Sequence, residues 1–399
     1  MENKTYPAIA IAGIGQSTVI NTENNKRVWP IDFDTNALVG KIVMPFIGSV
    51  ITRCDAGLSK AVYKEISRQV DGLRLDDDGN EVHKLKVERF PKSFKECTED
   101  ERKYIKRMLP VDKIACEIGE ENFYFFTYNS FGNTEKVIGA LDEFILDVMK
   151  QRDVDKVNLV PVSLGGTIST AYLNKYAYRN NVNRVVGVVP AYDGSSLVIK
   201  LIKGGFSEHI DDIIPKELKK LTSLLTTKTR ENIVESLFSA LQDTVILRSS
   251  VVWGAVPHDD YKELKSQYKM SENLNRICEE CFSVRNDFHS FIKKHSDRGV
   301  EFFSLCGYGL PMEKMFKRDN RHTDGIVDTV SCSMGATCDN LEKEIDVSTS
   351  AIKDRVWFYK GMEHEGAAKT EHLLKLCGLL LKDNKITSVH DDENFKQFN

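Results

Sequence analysis

A chain of 399 residues and 45.3 kDa, 41% apolar, buries a sizeable core as one large domain with an insertion or as two domains, and is too apolar to be disordered. A net charge of −4 and a pI of about 6.2 give no polyanion-binding surface, so nucleic acid is not an expected partner. Nine cysteines without a framework spacing read as reduced, mostly buried thiols, and no segment reads as the roughly 20 apolar residues of a membrane span, so the cytoplasm is the expected compartment.

From the amino end, Ala8 to Ile14 reads as a first strand, too short for a signal segment. Residues 50–118 form a more polar excursion. Within it Asp76-Asp77-Asp78-Gly79-Asn80 imitates a calcium loop but lacks the downstream glutamate, so it reads as a hairpin turn. Asn122 to Tyr128 is a second strand. Asn133-Thr134-Glu135 then opens a helix whose Val137, Ile138, Leu141, Phe144, Ile145, Val148 and Met149 recur at helical spacing. A strand ending at Ser163, a helix from about Gly166 to Arg179 and a strand over Val185–Val189 follow.

Residues 192–298 differ in kind. Ile233, Val234, Leu237, Phe238, Leu241 and Val245 form one apolar stripe, and strand signals are few, which predicts a mainly helical insertion over the carboxyl edge of the sheet. Cys278 and Cys281 make the only C-x-x-C; it lies in a helix-like stretch without a second pair and reads as structural. Strands over Val300–Cys306 and Val356–Tyr359 precede a last helix carrying Leu373, Leu374, Leu376, Cys377 and Leu380, and the polar tail from Asp383 is expected to fray. Alternating strand and helix signals predict an α/β fold with a mostly parallel sheet, built from 1–191 and 299–399.

Chemistry concentrates where strands end. In Val157 to Gly166 an apolar run stops at Ser163 between small residues, which writes a strand, a sharp turn and a helix with one hydroxyl held on the turn. Pro161 stands where the G-x-S-x-G motif has its first glycine; Gly165 fills the second place and allows a close helix approach. A plain core strand with a polar turn would be written similarly. A nucleophilic serine needs a base, and the base a carboxylate. Asp324, on an Asp-Gly turn after the fifth strand, is the carboxylate candidate, although such turns are common without any function; Asp328 and Asp193 are weaker alternatives. His364, in the loop after the last strand, is the base candidate. His258 and His322 fall outside the expected slot, and His372 reads as packing or solvent. Backbone N–H groups for an oxyanion would come from Leu164 and from Ile14 or Gly15 in the glycine loop after the first strand.

With these residues in place, the chain resembles the α/β-hydrolase lipases, most closely the lecithin–cholesterol acyltransferase-like group. The resemblance rests on Ala12-Gly13-Ile14-Gly15-Gln16-Ser17 followed by Val28-Trp29-Pro30, on Phe125 to Asn129, and on the Ser163, Asp324 and His364 turns. Asn129, Ser130 and Phe131 depart from that group's polar run, and Pro161 and Gly13-Ile14 depart from its glycine and His-Gly positions. The resemblance implies an α/β-hydrolase fold and acyl transfer through an acyl-serine, with no metal or organic cofactor. It implies a small-molecule or lipid ester as substrate, and the helical insertion as a lid that allows transient contact with a membrane surface. An acyltransferase with the same residues, and a catalytically silent binding protein of the same fold, are the competing readings.

Overall fold

The computed structural model describes residues 5–399 except 110, 207–215, 314–315, 317–319 and 383–384. Nine strands are described: β1 (Ala8–Ile11), β2 (Val19–Asn21), β3 (Lys26–Trp29), β4 (Leu85–Val87), β5 (Phe123–Phe126), β6 (Val157–Pro161), β7 (Val182–Val188), β8 (Glu301–Tyr308) and β9 (Val356–Lys360). Six of them form one sheet in the order β5-β1-β6-β7-β8-β9, every neighbouring pair parallel. Both faces of a parallel sheet are covered by helices, so its strands read as unbroken apolar runs; Ala-Ile-Ala-Ile in β1 and Phe-Tyr-Phe-Phe in β5 are buried at every position. The small antiparallel sheet β3-β2-β4 was not expected from the sequence, because strands of three or four residues leave too little alternation to count.

The helices are α1 (Thr35–Thr52), α2 (Leu58–Val70), α3 (Glu99–Met108), α4 (Asp112–Ile118), α5 (Thr134–Arg152), α6 (Gly165–Tyr176), α7 (Ser196–Lys203), α8 (Lys216–Thr222), α9 (Thr227–Thr244), α10 (Ser250–Gly254), α11 (His258–Ser266), α12 (Glu272–Phe282), α13 (Phe288–Ser296), α14 (Thr329–Cys332) and α15 (Glu371–Lys382). The start of α5 is fixed as the sequence predicts: the Asn133 side chain accepts from the N–H groups of Glu135 and Lys136. Helices α7 to α13 occupy the stretch 192–298, where no strand is described. Cys278 and Cys281 are buried on α12, where burial pushes both thiols up to about 12.

Two expectations need correcting. The first concerns α1. Its 18 residues have a mean hydropathy of 1.4, which by length and composition is enough to cross a membrane, yet the helix lies on the surface and is largely exposed. Ile42, Phe46 and Val50 face a second small core with Leu58, Val62 and Ile66 of α2 and Ala240 of α9. Val39, Val43, Met44, Ile47 and Ile51 point outward. A helix apolar all round offers no 3.6-residue contrast, so periodicity does not single it out. The second concerns the tail. Asp383 lies outside the described residues, but the last residues do not fray: Phe398 stacks on Phe358 at 5.0 Å, Phe358 N–H donates to Gln397 O at 2.7 Å, and Asn399 N–H donates to Phe358 O at 2.8 Å. Aromatic burial and strand pairing outweigh the polar composition of that segment.

The chain order reverses at β1, which has β5 on one side and β6 on the other. Ligands bind at the carboxyl ends of strands at such a switch point, and the loops after β1 and β6 meet there. This six-stranded parallel sheet, flanked by helices, is the mostly parallel α/β architecture expected from the sequence.

Candidate active site

Ser163 lies two residues past the end of β6 and has φ +52, the left-handed region that a residue with a side chain rarely adopts. The turn is held from three sides: Ser163 N–H donates to Val188 O at 3.3 Å, Gly166 N–H to Ser163 O at 2.9 Å, and Ala191 N–H to Ser163 O at 2.8 Å. Both glycines are required by close approach. A Cβ on Gly165 would lie 2.5 Å from Ile11 O, and one on Gly166 would lie 2.8 Å from Ala191 N. Val189, a β-branched residue at φ +41, faces the same cavity. Two such residues at one cavity mark a site whose backbone is held off its preferred conformation by its surroundings.

His364 stands at the start of a short 3₁₀ helix (His364–Lys369) after β9. Its Nε2 lies 2.9 Å from Ser163 Oγ, and its Nδ1 lies 2.7 Å from Asp324 Oδ2. A carboxylate can only accept, so Nδ1 carries the hydrogen, and in the neutral ring Nε2 accepts from the Ser163 hydroxyl. Asp324 is buried. Its other oxygen accepts from Ile326 N–H at 3.0 Å and Val327 N–H at 2.7 Å, and His364 N–H donates to the Asp324 carbonyl at 2.9 Å. The carboxylate therefore has its partners fixed on both oxygens, and the backbone ties it to the histidine. Gly307 of β8 leaves space for it: a Cβ there would lie 2.6 Å from Asp324 Cβ. Ser163, His364 and Asp324 come from three loops at the carboxyl edge, the histidine 201 positions after the serine.

The loop after β1 closes the other side. A Cβ on Gly13 would lie 3.1 Å from Ser163 Cβ, and Gly13 N–H donates to Gln16 Oε1 at 2.7 Å. Of the two loop donors expected from the sequence, Gly15 is not available: its N–H donates to Ser130 Oγ at 2.9 Å. The N–H groups of Ile14 and Leu164 have no partner among the described residues. Gly15, at φ +70, also accepts from Trp29 Nε1 at 2.9 Å, and Trp29 packs edge-on against Phe131 at 4.8 Å. Ser130, Gln16 and Trp29 thus hold the loop's shape. Only the Trp29-Pro30 pair gave any sign of this in the sequence.

The alternatives go elsewhere. Asp328 accepts from Ser196 N–H at 2.7 Å and Ser196 Oγ at 3.0 Å, at the head of α7. Asp193 pairs with His258, Oδ2 to Nδ1 at 2.6 Å, which raises the His258 pKa above its ordinary value. His322 Nε2 lies 2.9 Å from Lys343 O, and His372 packs against Tyr359 and Phe395. Each therefore has a structural partner of its own.

The serine opens into a cavity of about 570 Å³. Val162, Val188, Leu109, Ile114 and Leu374 make its walls apolar, while Lys106, Arg107, Glu365 and Lys369 bring charge to it. An enclosed hydroxyl next to an oriented imidazole, with apolar walls alongside, can carry out acyl chemistry on a substrate with a hydrophobic part.

No protein-family model matches the sequence, and a comparison with curated proteins gives no match. Among solved structures, the chain is similar to the Tle4–Tli4 complex at 12% identity and a TM-score of 0.39, over 94% of this chain and 98% of that one. It is similar to the phospholipase PlaB from Legionella pneumophila at 15% identity and a TM-score of 0.27, over 61% of this chain and 43% of that one. It is also similar to a chain from a study of carboxylesterases of the ammonia-oxidizing thaumarchaeon Nitrososphaera gargenis, at 11% identity and a TM-score of 0.20, over 49% and 64%.

Proposed function

We propose that this protein is a serine hydrolase of carboxylic esters, of the lipase or esterase kind, working through an acyl-serine. The observation that carries the reading is the unbroken relay from Ser163 Oγ to His364 Nε2 at 2.9 Å and from His364 Nδ1 to Asp324 Oδ2 at 2.7 Å. In this reading Ser163 Oγ bonds to the ester carbonyl carbon as its proton passes to His364 Nε2. Asp324 holds the ring in the required tautomer and stabilises the imidazolium. The negative charge that develops on the carbonyl oxygen is met by the N–H groups of Leu164 and Ile14. The carbon–oxygen bond to the alcohol then breaks, and His364 returns the proton to the departing oxygen. A water molecule releases the acyl group by the same steps in reverse roles.

The lecithin–cholesterol acyltransferase-like pattern is supported by the bond between Trp29 Nε1 and Gly15 O, which joins the two segments carrying that resemblance. The helices of 192–298 serve as a cap over the sheet edge. Contact with a lipid surface is supported by the outward apolar face of α1.

The test is fluorophosphonate labelling of the purified protein with the adduct located by mass spectrometry, beside ester turnover by Ser163→Ala. The expected adduct is on Ser163, and turnover falls by roughly 10³-fold or more with folding unchanged. A Ser163→Ala protein that keeps full activity sinks the assignment.

A further inference from the structure

The charged residues of the Ser163 cavity are not balanced. Three cationic side chains line it, Lys106 and Arg107 from the last turn of α3 and Lys369 from the turn that begins at His364, against one carboxylate, Glu365. Lys106 is answered by Asp112 at 2.9 Å. Arg107 and Lys369 are exposed and make no ion pair among the described residues. Two cations without an ion pair among the described residues, on separate elements that line one largely apolar cavity, leave its lining net positive.

Resting on the serine-hydrolase reading, we propose that Arg107 and Lys369 select an ester whose alcohol carries an anionic phosphate. The ester carbonyl lies at Ser163 and the acyl chain lies on Leu109, Ile114 and Leu374. Guanidinium and ammonium groups bind phosphate oxygens through charge-assisted hydrogen bonds, the guanidinium in a fixed fork. The chain as a whole carries −4, so this preference is local to the cavity and is not a property of the general surface. Arg107 and Lys369 are specificity residues in this scheme; they take no part in bond making.

Two water-soluble esters test it, 1-butanoylglycerol and 1-butanoylglycerol 3-phosphate, which share the scissile bond and differ only in the phosphate. The wild-type chain is expected to show kcat/KM about tenfold or more higher for the phosphate ester, mostly through KM, as one or two charge-assisted contacts give. The preference falls toward unity in Arg107→Gln/Lys369→Gln and weakens with added salt. Should the double variant fold poorly, the wild-type chain still decides the matter by inhibition of 1-butanoylglycerol turnover. Glycerol 3-phosphate as the stronger inhibitor identifies the head group as the ligand, and equal inhibition by inorganic phosphate identifies phosphate itself. No inhibition by either, or a phosphate preference absent from the wild type or undiminished in the double variant, overturns the proposal and leaves the hydrolase reading standing. No turnover of either ester, with no fluorophosphonate adduct on Ser163, overturns the hydrolase reading and this one together.

Discussion

Gly307 shows how narrowly the site is built. It lies on β8 under the Asp324 carboxylate, and a methyl group there would press 2.6 Å from Asp324 Cβ and 2.7 Å from the Met362 carbonyl. One neighbour is backbone and the other is the carbon that carries the carboxylate, so the strain is relieved by moving Asp324. We expect Gly307→Ala to lower stability by about 1–3 kcal/mol, as overpacking does. Turnover should fall about 10²-fold, because a shift of the order of 1 Å in a positioned group costs that much. Unchanged kcat in a folded Gly307→Ala protein would show that the position of Asp324 does not govern the rate. At this scale the sequence was informative: the serine, aspartate and histidine were each picked out because each follows a strand. The fate of the Gly15 amide was not legible, because Ser130 lies 115 residues away and its hydroxyl direction is set by the fold.

At the scale of elements, two histidines set the pH dependence in opposite senses. On α13 the His295 ring is buried between Phe291 at 4.7 Å and Phe302 of β8 at 6.2 Å, and burial, with Lys294 and Arg298 nearby, holds its pKa down at about 4. The folded state therefore keeps the ring neutral, whereas the unfolded chain protonates it near 6.5. That contribution is complete above pH ~6.5 and is lost as the pH falls toward about 4. His258 at the head of α11 is the reverse case. Its hydrogen bond to Asp193 raises its pKa, so its contribution is full below ~6.5 and is lost as the pH rises through the raised value. Denaturant unfolding across the pH range checks both. His295→Phe should move the acid limb of the stability curve to lower pH. His258→Gln should cost more stability at about pH 5 than at about pH 9. An acid limb unmoved in His295→Phe would show that the ring protonates as readily when folded as when unfolded.

For the molecule as a whole, the outward face of α1 is the largest departure from an ordinary water-facing surface. Val39, Val43, Met44, Ile47 and Ile51 expose aliphatic area that no other described part of the chain covers, on the far side of a helix whose inner face rests on α2 and α9. An apolar face presented to water favours an interface. Met44→Ser/Ile47→Ser/Ile51→Ser removes exposed side chains, so folding should be unaffected. Turnover of a long-chain ester in vesicles should fall about tenfold, with turnover of a soluble short-chain ester unchanged. Equal loss on both substrates, or on neither, would rule out a surface role for α1.

What the sequence determined by itself is the strand–helix alternation of a parallel sheet and the serine, aspartate and histidine turns, because both are written in local pattern: buried parallel strands are apolar throughout, and loops at strand ends carry polar residues among small ones. Only the tertiary structure decided the rest. It brought Ser163 and His364 within 2.9 Å across 201 residues, turned the Gly15 amide toward Ser130, gathered Arg107 and Lys369 at one cavity, and left α1 exposed. The physical reason is the same in each case: contacts between distant segments depend on strand order and packing, and neither is encoded within any one stretch of chain.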